Sequence, residues 1–148
     1  MIKHHGAVNG VTGSCHELLC DDGHSVLIDC GLFQGAETSG KGVSFEQLEI
    51  EFPTEYIQAP VVTHVHVDHV GPIPYLLAAG FNGPIYCSQL SALLLQLELE
   101  DALKVGFTRN IRLIVQLLKQ IQKQLRLLPY RNGTRFLMKF IILIQALK

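Results

Sequence analysis

The chain reads as an α/β domain built from stacked layers of strand and helix. Three observations predict this. The opening carries an Asp21-Asp22-Gly23 turn between two short apolar strands. From Pro60 onward, short β-branched runs alternate with helical stretches. Near the end, apolar residues recur at helical spacing.

Ser14-Cys15-His16-Glu17-Leu18-Leu19 is the first candidate strand and His24-Ser25-Val26-Leu27-Ile28-Asp29 the second. Gly23 is free to take positive φ between them, so the two form a hairpin. Cys30-Gly31 and Gln34-Gly35 then break the pattern. Residues 36–60 are polar and irregular, with a short helix expected at 44–49. Pro60-Val61-Val62-Thr63 fits a strand buried on both faces. A short helix follows within 71–80, ended by Gly80. Pro84-Ile85-Tyr86-Cys87 is a further strand, and Ser88 or Ser91 caps a helix running to about Val105. Thr108 reads as the N-cap of the last helix. Ile111, Ile114, Val115, Leu118, Ile121, Leu125 and Leu128 share its apolar spacing, and Pro129 stops it.

A chain of 148 residues can bury one respectable core. With 48% hydrophobic and 17% charged residues, it is not a disordered segment. The net charge of −1 hides a split. Residues 1–101 hold all 13 acids against two bases, Lys3 and Lys41, a formal −11; the rest holds ten bases and no acid, a formal +10. Such a basic arm suits nucleic acid or an acidic membrane surface. The plainer reading is that the two parts neutralise each other in the fold.

Cys15, Cys20, Cys30 and Cys87 form no CxxC pair, which excludes a zinc knuckle and a thioredoxin-type motif. Met1-Ile2-Lys3-His4-His5 lacks the apolar run of a signal peptide, so the expected compartment is cytoplasmic with reduced thiols. Cys15, Cys20 and Cys30 are then expected to pack as small apolar side chains. The apolar stretch 136–147 is interrupted by Lys139 and Gln145 and falls short of the ~20 residues that span a bilayer, so no membrane is expected as a partner.

The informative motif is Thr63-His64-Val65-His66-Val67-Asp68-His69. A transition-metal site needs imidazoles and carboxylates converging from a rigid backbone. Val61-Val62-Thr63 supplies that support. His64 and His66, two apart in extended chain, share a side and can grip one ion. Asp68 and His69 follow where the chain turns into a helix, and serve a second. Three histidines and an aspartate within six residues, behind a β-branched strand, are far from the usual scatter of structural histidines. His4 and His5 are adjacent and face opposite sides of a strand, so they read as structural, as do His16 and His24, which lack clustered partners.

His64-Val65-His66-Val67-Asp68-His69 is the HxHxDH signature, and the chain resembles the metallo-β-lactamase superfamily. Gly6-Ala7, Val11-Thr12-Gly13-Ser14-Cys15, residues 27–35, Gly80-Phe81-Asn82-Gly83-Pro84-Ile85-Tyr86 and Leu99-Glu100-Asp101-Ala102-Leu103-Lys104 look like its bacterial β-CASP branch of RNA-processing nucleases. The similarity covers about residues 1–130. It implies the N-terminal part of an αββα sandwich and a zinc-dependent phosphodiesterase acting on RNA. It also implies zinc ligation by His64, His66, Asp68 and His69. Asp68 would orient the attacking hydroxide, Asp29 would support the metal loop from behind, and Gly13 and Ser14 would line the site or make a tight turn. Pro72 stands where relatives often carry a basic residue.

The larger departure is length. The family continues with a further ligand histidine, a bridging aspartate and a cap, whereas here no histidine follows His69 and no acid follows Asp101. The expectation is a partial domain at 1–130 with weak binding of about one zinc and no activity alone. A divergent basic and apolar tail at 131–148, suggesting a shifted or prematurely ended reading frame, would follow it. The exposed sheet edge of such a part invites self-association. Two other classes stay open: a different metallo-β-lactamase hydrolase, and a non-enzymatic RNA- or protein-binding module using the basic C-terminal helix.

Overall fold

The computed structural model describes residues 1–6, 13–31, 50, 52–107 and 109–129. The expected helix at 44–49, the Thr108 cap and the tail at 131–148 lie outside the described residues. The hairpin forms as its turn predicts. Strands β2 (His16–Leu19) and β3 (Ser25–Ile28) pair antiparallel, with Leu18 opposite Val26. Gly23 takes φ 85, and the Asp22 carboxylate accepts from the His24 amide at 3.1 Å. A short strand β1 (Ile2–His4) adds antiparallel to the outer side of β2.

The rest of the sheet is parallel. Strand β4 (Ile57–Val61) lies beside β3, with Ile28 opposite Val61, and starts three residues before the β-branched run that announced it. Two short helices, α1 (Val67–Val70) and α2 (Ile73–Ala78), carry the chain to β5 (Ile85–Ser88), parallel to β4. Gly80, at φ 99, closes α2 as expected. Ser88 caps α3 (Gln89–Ala102) by accepting from the Ser91 amide at 3.0 Å, and a π turn (Leu103–Phe107) prolongs it.

The last helix ends earlier than expected. Its cap is Asn110, which accepts from the amides of Arg112 and Leu113, and α4 spans Ile111–Gln124. Leu125–Leu128 then forms a sixth strand, β6, parallel to β5 with Ile85 opposite Leu125. A short Leu-Arg-Leu-Leu run fits helix or strand by periodicity alone. The open side of β5 decides, because ladder bonds there replace those of a continued helix. Among the described residues six strands form the sheet, in chain order from β1 to β6.

The core gathers Leu27 and Ile85 from the sheet, Ile73 and Leu76 from α2, Leu95 and Leu99 from α3, and Ile121 from α4. Cys15, Cys30 and Cys87 are buried within it, and all four cysteines are free. Ile111 and Val115, expected on the inner face of α4, are exposed, while Ile114 and Ile121 are buried. No helix among the described residues is long and apolar enough to cross a membrane.

Candidate metal centre

Parallel pairing of β3 with β4 delivers two chain segments to the same end of the sheet. Asp29 follows β3, and residues 62–69 follow β4. The Asp29 amide donates to the Val61 carbonyl at 2.9 Å, which fixes the relative height of the two ends. Asp29 sits at φ 60, the one positive-φ residue other than glycine among the described residues. Aspartate tolerates that left-handed region better than most side chains, at a cost of about 1 kcal/mol.

The carboxylate so placed is 2% exposed and fully engaged. It accepts from the Thr63 amide at 2.8 Å, from the Thr63 hydroxyl at 2.8 Å, from His69 Nδ1 at 2.8 Å and from the Ser14 hydroxyl at 3.4 Å. The Thr63 hydroxyl, donating its single proton to Asp29, accepts from His64 Nδ1 at 3.0 Å. One buried carboxylate therefore holds His69 directly and His64 through Thr63. In both rings Nδ1 is taken, so that Nε2 is the nitrogen left for a ligand.

The loop backbone is locked as well. The Cys30 amide donates to the His69 carbonyl at 2.8 Å, and the Ser14 amide to the Asp68 carbonyl at 2.9 Å. The Gly31 amide returns to the Ser14 carbonyl at 2.8 Å. Gly31 is required here: a methyl group on it would overlap the Asp68 carbonyl and lie 2.7 Å from the Ser14 amide. Ser14 thus contacts Asp29 through its hydroxyl and the Asp68 backbone through its amide.

The structure sets the rings of His66 and His69 against that of His64, with the Asp68 carboxylate beside His69. The rings do not segregate into the two pairs expected. His64 lies 3.8 Å from His69 between centroids and 4.7 Å from His66. The single turn of α1, where the His69 amide donates to the His66 carbonyl, folds His69 back over His64. Asp68 Oδ2 lies 3.7 Å from His69 Nε2. Among the described residues, no three or more His, Cys, Asp or Glu side chains converge as a cage for an ion. The donor types and the engaged Nδ1 atoms are of the kind that zinc takes. Thr63, which the sequence placed at the head of the motif and at the end of its supporting strand without a role of its own, is the residue that joins His64 to Asp29.

The remaining histidines are held differently. His5 Nε2 meets Glu17 Oε2 at 2.8 Å, and its ring stacks on Phe52. Burial disfavours the Glu17 carboxylate, but the Ser25 hydroxyl and His5 ring beside it, with Lys3 further out, hold its pKa below the usual value. His16 and His24 are not isolated as expected. Register places His16 opposite His4, with their Nδ1 atoms 2.8 Å apart, and His24 pairs with Asp22. The Cys15 thiol against Cys30, together with burial, pushes the Cys30 thiol well above its usual range, so it stays protonated and packs as an apolar group. Pro72 is buried and stands as the N-cap of α2.

A strand-end loop of this composition, set on a mixed sheet, defines the class, and the chain belongs to the metallo-beta-lactamase superfamily, whose family model matches residues 17–135. The chain is 44% identical to "Ribonuclease TTHA0252" of Thermus thermophilus over 100 residues, 68% of this chain and 22% of that protein. It is 34% identical to "Transcription termination factor FttA" of Cenarchaeum symbiosum over 84% of this chain and 20% of that one. It is 32% identical to "Cleavage and polyadenylation specificity factor subunit 3-II" of Arabidopsis thaliana over 71% of this chain and 17% of that one. These relatives bear out the resemblance to the β-CASP RNA-processing branch. The chain spans about a fifth of the length of the curated relatives it matches.

Proposed function

We propose that residues 1–148 supply part of the zinc centre of a metal-dependent RNA phosphodiesterase and do not hydrolyse RNA by themselves. The observation that carries this reading is the Asp29 clamp, which engages Nδ1 of His69 directly and Nδ1 of His64 through Thr63, with His69 Nε2 3.7 Å from Asp68. His64, His66, Asp68 and His69 would hold the metal. When bound, zinc supplies Lewis acidity and lowers the pKa of water. The chain's own residues orient. Asp29 keeps the Nδ1 proton of His69 and, through Thr63, that of His64. Asp68 offers a carboxylate oxygen that accepts a hydrogen bond from the attacking water. RNA as substrate is supported by the ribonuclease relative. The four free thiols support a reducing, cytoplasmic setting. Further donors must come from outside these residues, since no histidine follows His69 and no acid follows Asp101.

The test is zinc titration by calorimetry together with cleavage of end-labelled RNA. About one zinc bound with a Kd on the order of micromolar, and no cleavage, is expected. Two tightly held zincs, or robust zinc-dependent cleavage, would overturn the reading. A second reading rests on α4, where Arg112, Lys119 and Lys123, with Arg109 just before, are exposed. Such a basic face binds RNA through phosphates, and salt-sensitive RNA binding lost on reversing these charges, without cleavage, would favour it.

A further inference from the structure

The outer face of α3 is as apolar as its inner face. Leu95 and Leu99 are buried, whereas Leu90, Leu93, Leu94 and Leu97 are 60%, 71%, 53% and 68% exposed. Their three- and four-residue spacing sets the four in one stripe. A helix apolar on both faces is ordinarily covered on both. The stripe exposes on the order of 500 Å² per copy, in the range of the largest apolar patch on a typical monomer, and such patches mark contacts.

We propose that this stripe is the contact between two copies of the chain, packed as antiparallel α3 helices about a two-fold axis passing between Leu93 and Leu94. The stripe is self-complementary in that arrangement. Leu90 faces Leu97 of the partner subunit, and the central leucines face each other. Charge selects the antiparallel sense. Asp101, exposed one turn beyond Leu97, falls just past the N-terminal end of the opposite helix, whose first turn carries no acid and attracts negative charge. Parallel packing would set Asp101 against its own copy. The patch is smaller than the ~800 Å² per partner of a standard interface, so the dimer is weak. The outer edge of β6, unpaired among the described residues, is the poorer candidate, because exposed Arg126 in its middle is the kind of edge charge that blocks strand addition. This contact is independent of the metal centre.

Sedimentation equilibrium of the full chain tests it, alongside Leu94→Glu and Leu127→Glu. The chain is expected to dimerise with a Kd on the order of ten micromolar. Leu94→Glu, which sets acid against acid at the two-fold, weakens association at least ~100-fold with an unchanged far-ultraviolet spectrum, and Leu127→Glu on the β6 edge does not. A monomer up to ~1 mM, or self-association that Leu94→Glu leaves intact, overturns the proposal. Helix sense is read by oxidation in a Cys20→Ser background. Leu90→Cys cross-links when mixed with Leu97→Cys and not with itself; the reverse result overturns the antiparallel pairing.

Discussion

The seven histidines fall into two groups, and they differ in what holds each ring. Behind His64 and His69 stands one buried carboxylate, and both Nδ1 atoms lead to it. In the hairpin group, His5 gives Nε2 to Glu17, and His4 and His16 close on each other through Nδ1. The first arrangement fixes rings and leaves coordinating atoms in hand; the second satisfies rings against their neighbours. A histidine cluster therefore reads as chemistry or as structure according to which nitrogen the fold has taken, not according to how many rings are near.

The largest expected effect breaks the backbone lock on the first group. Gly31→Ala forces a methyl into the Asp68 carbonyl and should destabilise the fold by about 3 kcal/mol in urea unfolding. Gly23→Ala in the hairpin turn is the control. It has open space around it and positive φ, so its cost should be nearer 1 kcal/mol. Equal losses would mean that the approach of residues 14, 31 and 68 is looser than described.

The second effect sharpens the contrast between the two carboxylates. Asp29→Ala leaves the His69 and Thr63 donors without their buried acceptor, costing about 2 kcal/mol, and should lower zinc affinity roughly 10–100-fold. Glu17→Gln should leave zinc affinity unchanged, since no ring of the metal motif leans on it. Zinc titration of both variants checks this, and an equal drop in both would erase the distinction between the groups.

Much of this was legible before the fold. The hairpin announced itself through Asp21-Asp22-Gly23, and the motif through its spacing. Asp29 stood out through resemblance, as a supporting residue. What was hidden depended on register or on competition between elements. The pairing of His4 with His16 follows only once β1 and β2 align residue by residue. Leu125–Leu128 becomes a strand only because β5 has an open side. The relay through Thr63 needs the parallel ends of β3 and β4 to coincide, which no local pattern encodes. Nor does periodicity along α3 say which of two leucine faces meets the sheet.

The smallest effect is a pH dependence confined to the hairpin group. The pKa of Glu17 in the folded chain lies below its usual 4.5, held there by Ser25, His5 and Lys3 against the cost of burial. A depressed carboxylate pKa stabilises the fold above the unfolded-state value, and that contribution disappears as pH falls through the folded-state value. Wild type should therefore exceed Glu17→Gln in stability by about 1 kcal/mol at pH 6, with the gap closing below pH ~4. Urea midpoints for the two chains between those limits measure it. A gap that widened toward acid would mean that Glu17 is held protonated in the fold. Burial would then outweigh its partners, and His5 would face a neutral acid rather than a carboxylate.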